Sequence, residues 1–339
     1  GTYTLSPVSS LSGITATDSA QITISVGPAA SLVWQTQPGN GTGGVALTQQ
    51  PKLYLQDNSG NIIASDSSTT ITLSLVNPDG ASVTGGTVTL QNGVASFADF
   101  KVDKIGTYTL SVSSSLSNIL STASASFTIS TGPASRLIWQ TQPGNGVSYQ
   151  IFAAAPVIAL TDAGGNIITG NSSLTVSLSL TGGNLAARLS GTLSMALING
   201  IAVFPDLSVD LAGTYRLSAD SALASSLSES FTVSIGAAAK LGWITQPGSS
   251  TGGTVLTQQP AIALQDAAGN TITSDSLSTV TLTLTDANGA TLGGTLSLAL
   301  QNGIASFTDI KVDKAGTYTI TPECSLTGIS VQPSSSFEI

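Results

Sequence analysis

The chain has 339 residues, 9 basic against 18 acidic side chains, no histidine and a single cysteine, for a net charge of −9. Such a balance argues against nucleic acid or an anionic membrane as partner, since both are met by clustered Lys and Arg. Without histidine there is no imidazole base and no His-ligated zinc, and one thiol makes neither a disulfide within the chain nor a thiolate metal cluster. Hydrophobic residues reach 41%, enough for a packed core, yet no apolar run approaches the roughly 18 residues that span a bilayer. Residues 1–11 lack the charged start and apolar stretch of a signal peptide, so an export signal is expected outside this chain.

Taken in chain order, the sequence repeats itself. Gly-Thr-Tyr opens the chain at Tyr3 and returns at Tyr108, Tyr215 and Tyr318, while the tryptophans, Trp34, Trp139 and Trp243, stand 105 and 104 residues apart. Asp-x-x-Gly-Asn recurs at Asp57, Asp162 and Asp266. Asn-Gly-Val/Ile-Ala recurs at Asn92, Asn199 and Asn302, each followed by Phe97, Phe204 or Phe307. The expected organisation is a partial unit at 1–27, then full units at 28–132, 133–236 and 237–339. A period of this length is that of separate domains rather than of a solenoid with one shared core. Residues 91–110 and 301–320 agree at 15 of 20 positions, and 198–217 agrees with 91–110 at 11.

Within a unit the apolar period is two. Ile71, Leu73 and Leu75 alternate with Thr70, Thr72 and Ser74, and Val176, Leu178, Val280 and Leu282 keep the same pattern. Alternation marks strands with one buried face, and the Asn-Gly pairs predict two-residue hairpins. In the first full unit the strands are expected near 31–37, 51–57, 69–76, 86–91, 94–102, 106–113 and 122–130. Seven short strands predict an all-β, immunoglobulin-like sandwich. Tandem sandwiches of this kind are expected to form an extended rod. The Tyr that opens the sixth strand resembles a tyrosine corner. Its expected hydroxyl partner is backbone near the preceding Asp loop, and Leu110, Leu217 and Ile320 stand where antibody domains carry a cysteine.

The order strand, Asp-x-x-Gly-Asn, Thr/Leu strand, Asn-Gly-Val-Ala-x-Phe, Gly-Thr-Tyr-Thr-Leu resembles the bacterial immunoglobulin-like repeats of invasin- and intimin-type adhesins. That resemblance covers essentially the whole chain and implies a cell-surface stalk or adhesin. Nothing like a lectin-like tip is visible.

Several side chains admit a sharper reading beside a structural one. Asp57, Asp162 and Asp266 start turns, or hold calcium at the joints if more oxygens converge there. Asp99, Asp206 and Asp309, with Asp103, Asp210 and Asp313, shape the corner ahead of the Tyr, the alternative being an acid–base pair. The tryptophans pack in the core or joint, or offer a glycan-stacking platform. Lys101 and Lys104 suggest an isopeptide cross-link, but the middle unit has Ser208 and Leu211 there. Cys324 aligns with Ser9, Ser114 and Ser221 and reads as an incidental thiol. Asn40 and Asn171 fit the glycosylation pattern.

No catalytic residue and no cofactor are expected. The function expected is a structural spacer outside the cell, with neighbouring repeats as partners. The alternatives are a subunit of an extracellular filament and a glycan- or protein-binding module. Pro28 and Pro133 restrict two joints, whereas Gly236-Ala237 makes the third the most flexible. Because the chain opens on a sixth strand, it is expected to be an excerpt of a longer repetitive protein.

Overall fold

The computed structural model describes residues 1–339 and is all-β, built from short strands with no helix. Two compact units divide the chain: Gly1–Arg136 with Leu160–Gly170, and Leu137–Ala159 with Asn171–Ile339.

In the first unit, one sheet runs in the order Leu120–Ser121, Ser31–Thr36, Lys52–Gln56, Val94–Ser96. Facing it, Thr70–Leu75 lies between Thr87–Thr89 and Leu110–Ser114, and a further ladder joins Gly106–Tyr108, Phe127–Ser130 and Gly41–Thr42. Strand alternation turns Leu53, Leu55, Ile71, Leu73 and Leu110 inward, where they meet Phe97, Phe100 and Phe127 in one core. Each such Leu or Phe contributes roughly 1.5–3 kcal/mol by leaving water. No disulfide assists them, so this burial is the main stabilising term.

The second unit shows the same layering with fewer breaks. Its sixth strand, Gly213–Asp220, is continuous and unites a sheet in the order Gly146–Val147, Phe231–Ser234, Gly213–Asp220, Thr175–Thr181, Ser194–Ala196. Val157–Thr161 pairs with Ile201–Val203 in the other layer. First, second and fifth strands thus face third, fourth, sixth and seventh in a two-layer, seven-strand sandwich of immunoglobulin-like architecture, the fourth strand lying with the third rather than with the fifth as in antibody constant domains. A further core in this unit gathers Leu241, Ile262, Leu282, Leu300, Phe307, Tyr318 and Phe337.

Two local expectations are corrected. The Asn-Gly pairs do make two-residue turns, with Asn92 at φ 51° and Gly93 at φ 76°, and Asn199 and Asn302 both at φ 50°. They do not make hairpins, though. Thr87–Thr89 belongs to the sheet of Thr70–Leu75, and Val94–Ser96 to that of Lys52–Gln56, so only Gln91 and Val94 bridge. The turn carries the chain from one layer to the other, and pairing cannot extend past it. The strand expected at 94–102 is likewise two pieces. Val94–Ser96 and Lys101–Val102 lie in different sheets, and between them Phe97 and Phe100 both turn into the core. In the tail, Thr2–Tyr3 pairs antiparallel with Ile22–Thr23, and Tyr3, Leu5, Ile22 and Ile24 are exposed.

Candidate functional site: carboxylate clasps at the joints

The Asp-x-x-Gly-Asn segments follow the second strand of each repeat and close as tight turns. In the first, Asp57 Oδ1 accepts N–H bonds from Ser59 and Asn61, both at 2.9 Å, and the Asn61 amide donates to Oδ2 at 3.0 Å. Gly60 sits at φ 83°, a conformation that glycine enters without strain. The Asn61 amide and the N–H groups of Gly27, Asn61 and Ser59 hold the Asp57 carboxyl down at about 2. Thus far the turn reading of the sequence describes what these residues do.

The turns also reach backwards along the chain. Asp57 Oδ2 accepts the N–H of Gly27, Asp162 Oδ2 that of Gly132 and Asp266 Oδ2 that of Gly236, each at 2.9 Å. Each turn therefore anchors a glycine 30 residues before it, at the position where the sequence repeat places the end of the preceding unit. The turn asparagine adds a second tie. In the first unit Asn166 Nδ2 donates to Asp103 O at 2.7 Å, while its Oδ1 accepts the Ile105 N–H at 3.1 Å. In the second unit Asn270 Nδ2 donates to Asp210 O at 3.3 Å, and its Oδ1 accepts the Ala212 N–H at 3.0 Å. Both asparagines thus cross-link a turn to the corner that opens the sixth strand of the repeat before. Basic side chains back the turns, with Arg136 donating to Ala163 O at 2.7 Å and Lys240 to Ala267 O at 3.2 Å.

The two clasps differ in a coordinated way. Beside Asp162 lie Gly43 and Gly164. A Cβ on Gly43 would come within 2.1 Å of Asn166 Nδ2, and one on Gly164 within 2.0 Å of Asp103 O. Beside Asp266 the equivalent residues are Ser148 and Ala268. The Ser148 hydroxyl is buried and donates to Asp266 Oδ2 at 2.6 Å, and its oxygen also accepts the Gly236 N–H at 3.0 Å. Close glycine packing in one clasp is replaced by an added hydroxyl bridge in the other. Gly236, the joint without a proline, is thereby held by two acceptors.

Asp162 and Asp266 are fully buried, at 0% and 1% exposure. Burial pushes both carboxyls up, but the donors outweigh it and both lie below the ordinary range: for Asp162 the N–H groups of Gly132, Asn166 and Gly164 with the Asn166 amide, for Asp266 the Ser148 hydroxyl, the Asn270 amide and the N–H groups of Gly236 and Asn270. This donor set does not suit calcium, which needs six to eight oxygens around it. The carboxylate lone pairs are taken by N–H and O–H donors, and no group of three Asp, Glu, Cys or His side chains converges.

Five of the six acids ahead of the corner, all but Asp99, act as local staples. Asp103 accepts the Ser82 N–H at 2.6 Å, Asp206 that of Thr192 at 2.8 Å, Asp210 that of Arg188 at 2.7 Å, and Asp309 and Asp313 those of Thr295 and Thr291 at 2.8 and 2.7 Å. They tie the segment after the third strand to the one before the Tyr. The tyrosines form the expected corner. Tyr108 donates to Lys104 O at 3.1 Å, Tyr215 to Leu211 O at 3.0 Å and Tyr318 to Ala315 O at 3.4 Å, all three rings being buried. Trp34 and Trp243 pack on the edges of their cores. Lys104 donates to Gly164 O at 3.4 Å, Cys324 is half-buried in the strand Ile320–Cys324, and Asn40 accepts the Thr128 N–H at 2.7 Å.

Sequence reasoning missed the asparagine bridges, although the invariant Asn at the end of each Asp-x-x-Gly-Asn run was in view. It also missed the glutamine of Thr-Gln-Pro: Gln37, Gln142 and Gln246 each accept a backbone N–H from residues 87 to 89 positions later. Gln50 and Gln259 do the same for Phe100 and Ile310.

No family model matches this chain, and no curated protein matches it either. Among solved structures it is similar to the Escherichia coli adhesin FdeC, at 17% identity and TM-score 0.32, covering 92% of this chain and 99% of that one. It is similar to domains 4–9 of the surface layer protein SbsC, at 16% identity and TM-score 0.24, covering 91% and 47%. It is also similar to the FN1–FN3 domains of chicken CNTN1, at 10% identity and TM-score 0.29, covering 93% and 99%. At such scores none of these assigns a family, and the immunoglobulin-like character of the fold stands on the two-layer, seven-strand sandwich described above.

Proposed function

We propose that the chain is a load-bearing spacer of a large bacterial surface protein, built from tandem immunoglobulin-like modules at 28–132, 133–236 and 237–339 after the partial module 1–27. The observation that carries this reading is the double clasp, in which Asp162 with Asn166, and Asp266 with Asn270, fasten each turn to the end and the corner of the repeat before. A passive linker needs no such ties, whereas a spacer that keeps its length under load does. Saturation of the carboxylates by internal donors also favours a structural over a catalytic role. An extracellular place and kinship with invasin- and intimin-type repeats rest on the sequence resemblance and belong to the same proposal. Small-angle scattering of the parent and of an Asn166→Ala, Asn270→Ala double variant tests it. The parent should fit one narrow distribution of distances and the double variant a broadened one. Equal breadth in both, or a compact parent, sinks the spacer reading.

A further inference from the structure

In the first repeat the strand that carries Trp34 has neighbours on both sides. Lys52–Gln56 lies along one edge, and Leu120–Ser121 runs parallel along the other, Leu120 opposite Ser31 and Ser121 opposite Leu32. The next carbonyl, Thr122 O, accepts the Trp34 indole N–H at 3.0 Å. The third repeat builds the same edge. Leu241 N–H donates to Ser330 O at 2.9 Å, Ser330 N–H to Ala239 O at 2.8 Å, and the Trp243 indole to Gln332 O at 3.0 Å.

The second repeat departs from this plan. Between the corner Tyr and the serine whose hydroxyl receives the Leu110, Leu217 or Ile320 N–H, the spacing is 16 residues in the first and third repeats but 13 in the second. Three residues short, Ser225–Leu227 cannot cross to the other layer. It folds back on its own strand as a hairpin, Ser218 opposite Leu227 and Asp220 opposite Ser225. Strand Arg136–Thr141 is left at the end of its sheet, paired on one side only. The Trp139 indole N–H is shut off from water and has no acceptor. A buried, unpaired donor destabilises the free edge, a penalty that an incoming carbonyl removes.

We propose that the edge of strand Arg136–Thr141 binds an extended polypeptide segment in trans. The segment runs parallel to the strand, is of the aliphatic and Ser/Thr type laid on the two equivalent edges, and presents a backbone carbonyl to Trp139 Nε1. The occupant is defined by the chain itself, since residues 119–122 and 329–332 show what this edge accepts and in which direction. Main-chain bonds supply the affinity of such strand addition, and the indole adds an anchor of fixed position. Because the N–H is closed off in the free edge, the docked segment has to displace whatever covers it. This goes beyond the spacer role and gives one repeat in three a lateral contact.

The test uses the 339-residue chain with 15N-labelled tryptophan, whose three indole signals are assigned by single Trp→Phe variants, and a synthetic peptide of residues 116–123, Leu-Ser-Asn-Ile-Leu-Ser-Thr-Ala. The Trp139 signal alone should move downfield and saturate. Trp139→Phe should weaken binding about fivefold, the worth of one net hydrogen bond. A peptide with proline in place of its second leucine, which removes the N–H that Ala30 O receives in the first repeat, should fail to bind. A chain lengthened by Leu-Ser-Asn between Asp220 and Ser221 should fill the edge in cis and lose the response, which keeps the test decisive if Trp139→Phe does not fold. A Trp139 signal unmoved by millimolar peptide, equal movement of all three signals, or an undiminished response in the lengthened chain overturns the proposal.

Discussion

Replacing Asn166 with alanine probes the clasp most directly. The amide donates to Asp103 O at 2.7 Å and to both Asp162 oxygens at 3.0 Å, and accepts the Ile105 N–H at 3.1 Å. Alanine leaves the Ile105 N–H and the Asp103 carbonyl without partners in a site where Asn166 itself is only 7% exposed. Asp162 keeps the N–H groups of Gly132, Gly164 and Asn166, so the turn should survive. Two stranded backbone groups at roughly 1–3 kcal/mol each, partly relieved by entering water, give a loss of about 2–4 kcal/mol. Amide hydrogen exchange reads this locally. Exchange at Ile105 should speed up by about 30- to 1,000-fold, while amides of the core strand Lys52–Gln56 stay unchanged. Asn61→Ala is the control, since the Asn61 side chain bonds only the Asp57 of its own turn. Unchanged Ile105 exchange in Asn166→Ala, or an equal acceleration in Asn61→Ala, would refute the argument that the asparagine carries the tie.

Other consequences can be measured in the same chain. Gly164→Ala puts a Cβ 2.0 Å from the Asp103 carbonyl oxygen, a backbone atom that cannot swing away, so the clasp should open at a cost of about 1–3 kcal/mol; unshifted NMR signals for residues 103–105 would contradict this. Tyr215→Phe removes a hydroxyl that donates to Leu211 O and Ala212 O and should cost about 1 kcal/mol, visible as a lower urea midpoint. The clasp carboxyls are lowered in the folded state, so the stability they confer is complete above their unfolded value near 3.8. For Asp57 it is lost as pH falls from there towards about 2. With no histidine in the chain, urea midpoints should be flat between about pH 5 and 8 and fall below about pH 4; a decline already at pH 6 would point to other groups. Asn92→Ala puts at φ 51° a residue without the short polar side chain that lets Asn adopt the left-handed region, and should cost on the order of 1 kcal/mol, read as a lower melting temperature.

The sequence by itself determined the repeat, the strand periodicity and the buried faces, because these follow from the geometry of a pleated strand, in which successive side chains alternate sides. Ile71 and Leu73 could only face inward together, and Asn-Gly could only turn. The tyrosine corner was also legible, since Tyr, Gly and the preceding loop lie within a few residues of one another. Whether the strands flanking Asn92 stay in one sheet was decided by tertiary structure. The turn chemistry is the same for a hairpin and for a crossing between layers, and the choice depends on which core receives Phe97 and Phe100. The clasps were hidden for a related reason. Asp162 and Gly132 lie 30 residues apart and Asn166 and Asp103 lie 63 apart, so their pairing exists only once two repeats are folded and adjoining. Three residues missing before Ser228 are visible in the sequence as a shorter loop. That the shortening uncovers the edge beside Trp139 follows only from where the equivalent segments lie in the folded first and third repeats.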